Sequence, residues 1–279
     1  MKLAQRRLDG HEEPSVVKAS RVSPAVVRAF SILKLVANRS EPTRVSDLVR
    51  DLKIPRNSAY ELVRTLTSIG ILDGGLDHTL RLGLRLFELG NAYEQSLDLI
   101  AQSKAVAKKL AIASGETVHV AVLDGRDVVY VVKEESQQFV RISGVGRRLP
   151  AHLTGVGKAM LAFRSDAEVR HLLGSAPLIA LTPKSISDRT RLLAELATTR
   201  ARGYAIDSGE AMLDVRCVAA PIRNGNGEAI AAISISSPAY RTNSAKRLRF
   251  SRQILEAARE ISVKLGQRTE RASRPDTGS

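Results

Sequence analysis

From Pro24 the apolar positions fall at helical spacing. Val26, Val27, Phe30, Leu33 and Val36 recur at short helical intervals, behind Ser23 as a cap and Pro24 in the first turn. Leu48, Val49 and Leu52 give a second short helix over residues 45–52, and Lys53-Ile54 makes the turn after it. Pro55 opens a third helix with Leu62, Val63, Leu66 and Ile69 as its apolar stripe, and Gly70 stops it. Two short apolar stretches, Ile71-Leu72-Asp73 and Thr79-Leu80-Arg81-Leu82, then flank Gly74-Gly75-Leu76-Asp77-His78 and read as a hairpin. Three helices followed by a hairpin predict a winged helix-turn-helix. A long helix from Leu84 to about Ser114 would carry the chain onward.

From Gly115 the period changes to two. Val118, Val120 and Val122 alternate along one strand, Val128–Val132 make the next, and Phe139–Ser143 a third. Gly157–Phe163, Ala167–Leu173 and Asp188–Arg202 read as helices. Tyr204–Asp207, Arg216–Ile222 and Ala229–Ser236 return to strand, the last two joined by Asn224-Gly225-Asn226-Gly227, a strong hairpin signal because Asn and Gly tolerate positive φ. A final helix spans about 243–266. Mixed helices and strands joined by hairpins predict an α+β domain built on an antiparallel sheet. Residues 1–23 carry charge without apolar periodicity and read as a flexible basic arm, and 267–279 as a polar tail.

Composition adds limits. The 279 residues suggest roughly two domains. A hydrophobic content of 43% is ordinary for a globular chain and argues against a disordered one. No apolar run approaches the about 18 residues of a membrane span, and the N-terminus lacks the apolar core of a secretory signal. Cys217 is the one cysteine and has no internal disulfide partner, so a cytoplasmic location without membrane association is expected. The net charge of +14 favours a polyanionic partner. Yet residues 1–95 hold 15 Lys+Arg against 11 Asp+Glu, while residues 239–274 hold 10 against 3. Charge is thus concentrated far from the helix-turn-helix, and a local motif has to locate any nucleic-acid contact.

That motif is the start of the third helix. The second helix of a helix-turn-helix presents its first turns to base edges in the major groove. Here those turns carry Arg56, Asn57, Ser58, Tyr60, Glu61 and Arg64. Arg takes guanine bidentately and Asn takes adenine, whereas Ser58 and Tyr60 suit phosphate oxygens. Thr43, Arg44 and Ser46 fall where the preceding helix would meet the DNA backbone, and His78 lies in the wing. An ordinary solvated helix face is the alternative, and Glu61, which repels phosphate, speaks mildly for it.

Catalytic chemistry has less support. His11, His78, His119, His152 and His171 match no metal-ligand spacing, so no metal is expected. Thr154-Gly155-Val156-Gly157-Lys158-Ala159 looks superficially phosphate-binding, but position 152 is His rather than Gly and no Ser/Thr follows the lysine. No cofactor is expected either. A hydrolase using Cys217 as nucleophile is the best enzyme alternative, with no obvious base or helix N-terminus to activate the thiol. A ligand-binding module acting only through protein partners is a third class.

Two sets of motifs resemble the IclR family of bacterial transcriptional regulators. The first comprises Val26-Val27-Arg28-Ala29-Phe30-Ser31-Ile32-Leu33, Leu52-Lys53-Ile54-Pro55-Arg56-Asn57-Ser58-Ala59-Tyr60 and Leu82-Gly83-Leu84-Arg85-Leu86. The second comprises Glu116-Thr117-Val118-His119, Gly146-Arg147-Arg148-Leu149-Pro150, Thr154–Ala159, Leu181-Thr182-Pro183, Arg202-Gly203-Tyr204-Ala205 and Arg216-Cys217-Val218-Ala219-Ala220-Pro221. The resemblance covers about residues 24–266, in order.

It implies a winged-helix DNA-binding domain over 24–90, a linker helix over 91–114 and a GAF-like effector-binding domain over 115–266. It further implies a homodimer or homotetramer on a double-stranded operator, controlled by a small organic-acid or aromatic effector. Carried over position by position, the resemblance lines the effector pocket with Gly155, Val156, Asp207, Val215, Cys217, Ser234 and Ser236. Ser234 and Ser236 lie two apart on a strand and so share a face; the alternative is the polar outer face of an edge strand. A charged Asp207 would repel a carboxylate ligand unless it is protonated or binds a ligand hydroxyl. Asp214 stands where many relatives carry glycine, which leaves the ligand class open.

Overall fold

The computed structural model describes residues 22–39, 41–74, 79–95, 98–135 and 144–266. The expected basic arm (but for its last two residues), the centre of the wing with His78, the strand over 139–143 and the polar tail lie outside these. The chain divides into two compact units, one within Glu13–Leu97 and one within Asp98–Ser279.

In the first unit, α1 (Pro24–Asn38), α2 (Val45–Leu52) and α3 (Arg56–Ser68) enclose Ile32, Leu48, Ile54, Ala59, Leu66, Leu72 and Leu80. Burying each of the larger side chains contributes about 1.5–3 kcal/mol. Lys53 adopts a left-handed conformation, φ 52°, which ends α2 and turns Ile54 into the core. At the end of α3 the N–H of Gly70 donates to Thr67 O (3.0 Å) and that of Ile71 to Leu66 O (2.9 Å). With Gly70 at φ +72° this is a Schellman stop, for which glycine is the unstrained residue. The chain passes into the antiparallel hairpin β1 (Leu72–Gly74) and β2 (Leu80–Leu82). A Cβ on Gly83 would lie 2.2 Å from Gly70 O, so the wing closes only over a glycine.

One expectation changes here. The apolar stripe of α1 is only partly inward, since Val26 is 67% and Phe30 60% exposed. The expected long helix is present as α4 (Leu84–Gln95) and α5 (Asp98–Ser114), and residues 96 and 97 lie outside the described residues. Asp98 places a carboxylate in the first turn of α5, where the helix dipole favours it.

The second unit is a six-stranded, wholly antiparallel sheet in the order β5-β4-β3-β8-β7-β6. Its strands are β3 (Thr117–Asp124), β4 (Asp127–Glu134), β5 (Arg148–Pro150), β6 (Ala205–Asp207), β7 (Val215–Arg223) and β8 (Ala229–Pro238). The short helices α6 (Gly155–Leu161), α7 (Asp166–Leu173) and α8 (Arg189–Arg202) enclose a front core through Val156, Met160, Val169, Leu173, Leu192 and Leu196. Helices α5 and α9 (Ser244–Lys264) pack against the rear. With both faces covered, Thr117 to Ala121 are buried without a break, and the alternation expected of β3 separates two cores rather than core from water. Asn224 closes the β7–β8 hairpin, its side-chain oxygen accepting from Asn226 N and Glu228 N at 3.0 Å each. Among the described residues no helix is long and apolar enough to cross a membrane.

Candidate DNA-reading helix and effector pocket

Helical spacing sets Arg56, Tyr60 and Arg64 one turn apart on α3, with Asn57 beside them, and all four are exposed. The Arg56 guanidinium sits 5.8 Å over the Tyr60 ring, a cation–π contact that extends the arginine along the helix. Ser58 is half-buried. Arg44 and Ser46 are exposed at the start of α2, where the Asp47 carboxylate accepts from Arg44 N at 2.9 Å. That bond, aided by Arg39 and Arg50, holds the Asp47 carboxyl below the usual range. Thr43 corrects the expectation for this edge. It is 1% exposed, and Leu80 N donates to its carbonyl at 2.7 Å, so it joins the helix-turn-helix to the wing instead of facing solvent.

The front of the sheet carries the second constellation. Pairing sets Asp207, Cys217, Ser236 and Thr117 side by side across β6, β7, β8 and β3, with Ala205, Ala219, Ser234 and His119 in the next row. The start of α6 lies directly over them: a Cβ on Gly155 would be 2.8 Å from Cys217 Sγ. Between sheet and helix is a cavity of about 20 Å³ lined by Tyr130, Thr154, Gly155, Val156, Asp207, Met212, Val215, Cys217 and Ser236, among others. Six of the seven expected pocket residues thus line one cavity. Ser234 lies one row deeper on the same face and is buried. β8 is interior to the sheet, which removes the edge-strand alternative for the serines.

Burial governs the chemistry of this pocket. It raises the Asp207 pKa, against the N–H groups of Gly209 (2.9 Å) and Glu210 (2.8 Å), which the carboxylate accepts, and against Lys158. Burial, then the Asp207 charge, pushes the Cys217 thiol up to about 12, which makes it a poor nucleophile at neutral pH. Among the described residues no group of three His, Cys, Asp or Glu gathers as a metal site would require.

The phosphate-loop likeness of 154–159 dissolves at Lys158. Its ammonium is buried, donates to Ile206 O at 2.6 Å and pairs with Glu210. Thr182 Oγ1 donates to Gly209 O and Ser185 Oγ to Glu210 O, both at 2.7 Å. Segment 208–214, which supplies Ala211 and Met212 to the cavity, is therefore anchored from both sides. Asp214 is exposed, and its carbonyl accepts from Ala239 N at 2.7 Å; it does not line the cavity.

Sequence reasoning passed over Tyr130 and Met212 as pocket residues. Tyr130 packs edge-on to His119, ring centroids 5.1 Å apart. Thr154 had a visible signal, since its hydroxyl accepts from Gly157 N at 3.0 Å and caps α6. Tyr130 and Met212 had none, because only the tertiary fold brings them to the cavity.

A winged helix with a polar-tipped second helix, on one chain with an enclosed pocket under a sheet, defines a ligand-responsive DNA-binding regulator. Residues 25–73 match the IclR helix-turn-helix domain and residues 91–263 the family described as bacterial transcriptional regulator IclR C-terminal, and the chain belongs to the IclR family of transcriptional regulators. It is 34% identical over 244 residues to the HTH-type transcriptional regulator XynR of Escherichia coli, covering 87% of this chain and 97% of that one. Among solved structures it is similar to the Thermotoga maritima IclR, at 30% identity and a TM-score of 0.73, over 86% of this chain and 98% of that one. It is also similar to an IclR homologue from Microbacterium hydrocarbonoxydans complexed with 4-hydroxybenzoate, at 26% identity and a TM-score of 0.77, over 86% and 98%.

Proposed function

We propose that this regulator reads an operator half-site with Arg56, Asn57 and Arg64 at base edges, while Arg44, Ser46, Ser58 and Tyr60 hold the phosphate backbone. The observation that carries the reading is the exposure of Arg56, Asn57, Tyr60 and Arg64 along one edge of α3, beside buried Ala59 and Leu66 on the opposite side. Each well-made base contact discriminates by about 1–3 kcal/mol. The chain acts as a homodimer or homotetramer. Val26 and Phe30 on α1, and Leu84, Phe87 and Leu89 on α4, are more than half exposed and supply apolar surface for a second copy.

The effector is a small organic or aromatic acid held by Gly155 and Val156, Asp207, Val215, Cys217, Ser234 and Ser236. The 4-hydroxybenzoate bound by the Microbacterium homologue supports that class. Gly155 and Val156 occupy the first turn of α6, whose N–H groups no helical carbonyl takes. A protonated Asp207 tolerates a neighbouring carboxylate and can donate to it. A cavity of about 20 Å³ is far smaller than an aromatic acid, so the pocket has to widen on binding. An effector controls DNA binding only through unequal affinity for the two arrangements.

Operator selection from genomic DNA, followed by titration, tests the reading. Arg56→Ala should weaken the selected operator at least tenfold and relax base preference, whereas Arg44→Ala should mainly lower the salt slope. Equal loss for Arg56→Ala on operator and random DNA would remove the base-reading role. Adding 4-hydroxybenzoate and short aliphatic acids should shift operator affinity for the parent chain but not for Ser234→Ala/Ser236→Ala. Failure of selection to enrich any sequence would instead favour a module acting through protein partners.

A further inference from the structure

The basic excess near the C-terminus has no place in the reading above. Part of it meets the sheet at a second cavity, of about 60 Å³, behind β6 and β7 and under the first turns of α9. Ile206, Val218 and Phe250 form its apolar wall, and Asp207, Ser208, Arg216, Ser237, Thr242 and Arg247 are its polar members. Arg216 alternates with Cys217 on β7, so it faces the rear while the cysteine faces the effector pocket. Its Nη1 donates to Leu213 O (2.9 Å) and Val215 O (2.7 Å) and rests against Gly209, where a Cβ would lie 2.8 Å away. Its other guanidinium donors have no acceptor among the described residues. The Arg247 side chain has none either, and it is exposed.

The neighbouring carboxylates are occupied elsewhere. Glu116 is buried and accepts from both Arg241 and Lys246, at 2.7 Å each. Asp207 is bound to the Gly209 and Glu210 N–H groups, and Glu210 to Lys158. Asp214, exposed ahead of β7, pairs with neither arginine among the described residues. Two guanidinium groups thus lie at one cleft without an ion pair of their own among the described residues, beside the buried Asp207. Ser237 Oγ lies 2.6 Å from Thr242 Oγ1. Thr242 Oγ1 donates its hydrogen to Pro238 O at 2.8 Å, so Ser237 is the donor in that contact and its hydrogen is taken.

We propose that this cleft is an oxyanion site, taking inorganic phosphate or a phosphate monoester between Arg216 and Arg247. Guanidinium groups match phosphate oxygens in geometry as well as charge, and the volume suits one such group. Arg216 and Ile206 alternate with Cys217 and Asp207 and so lie on the face opposite the effector pocket, although Asp207 and Cys217 belong to the lining of both cavities.

Calorimetric titration of the full chain at constant ionic strength, with inorganic phosphate, glycerol phosphate and acetate, tests the site. Either phosphate should bind saturably with one site per chain, and acetate at least tenfold more weakly. Arg247→Gln, an exposed change that should leave the unfolding temperature unaltered, should weaken phosphate binding about tenfold, the value of one charged hydrogen bond. Arg216→Gln should do the same and Arg216→Lys less, while Ser234→Ala/Ser236→Ala on the front face should change nothing. Tighter binding of glycerol phosphate assigns the site to a phosphorylated metabolite, and tighter binding of inorganic phosphate assigns it to the free ion. Absence of saturable binding, or full binding by Arg247→Gln, would overturn the proposal.

Discussion

A lysine ammonium sealed from water must find an anion or give up its proton, and Lys158 finds Glu210 and the Ile206 carbonyl. Its neighbour Asp207 makes no ion pair among the described residues, and burial raises its pKa. Because its folded pKa is raised, the native chain holds a proton that the unfolded chain releases above about pH 4. Native stability therefore falls as pH rises from there toward the folded value. Asp207→Asn keeps an acceptor for the Gly209 and Glu210 N–H groups and removes the titration. Thermal unfolding at pH 5 and pH 8 should show a smaller difference for the variant than for the parent, with the variant the more stable at pH 8. An unchanged difference would mean that Asp207 is ionised in the folded chain. At this scale the sequence offered a phosphate-loop look around Lys158, and burial alone showed that the lysine holds the protein's own loop.

At the scale of elements, the helix-turn-helix, the strand pair around Asn224–Gly227 and the final helix were legible, because caps, stops and turns are local chemistry. Gly70, Asn224 and Asn243 each act through bonds within a few residues. The exposure of Val26 and Phe30 was not legible, as periodicity shows a stripe and not what covers it. Close approaches are equally invisible to a pattern. A Cβ on Gly157 would lie 2.1 Å from Ala151 O, a backbone atom with nowhere to move. Gly157→Ala should therefore destabilise the second unit by about 1–3 kcal/mol or more, measured by denaturant unfolding followed on that unit alone. Gly144→Ala, in the same unit and with nothing within 4 Å, is the matching control and should have little effect.

For the whole molecule, the apolar residues left open on α1 and α4 bear on assembly. If they are covered by a second copy, Phe87→Glu should lower the mass measured by light scattering and weaken operator binding cooperatively. The secondary structure seen by circular dichroism should stay the same. Retention of the parent mass would assign assembly to other surfaces. Net charge pointed toward a polyanion without saying where, and the proposed oxyanion site behind β7 would give two arginines of the second unit a different anion.

The sequence by itself determined the order of elements, the family, and which residues of the α6 loop, β6, β7 and β8 belong together. Those rest on local spacing and on motifs that a chain carries whether folded or not. Only the tertiary structure decided that Thr43 is buried, that Tyr130 and Met212 close the pocket, and that Arg216 and Arg247 share a cleft. Each of these depends on which distant segments meet, and it is the burial created by that meeting that sets the charge of Asp207 and the use of Lys158.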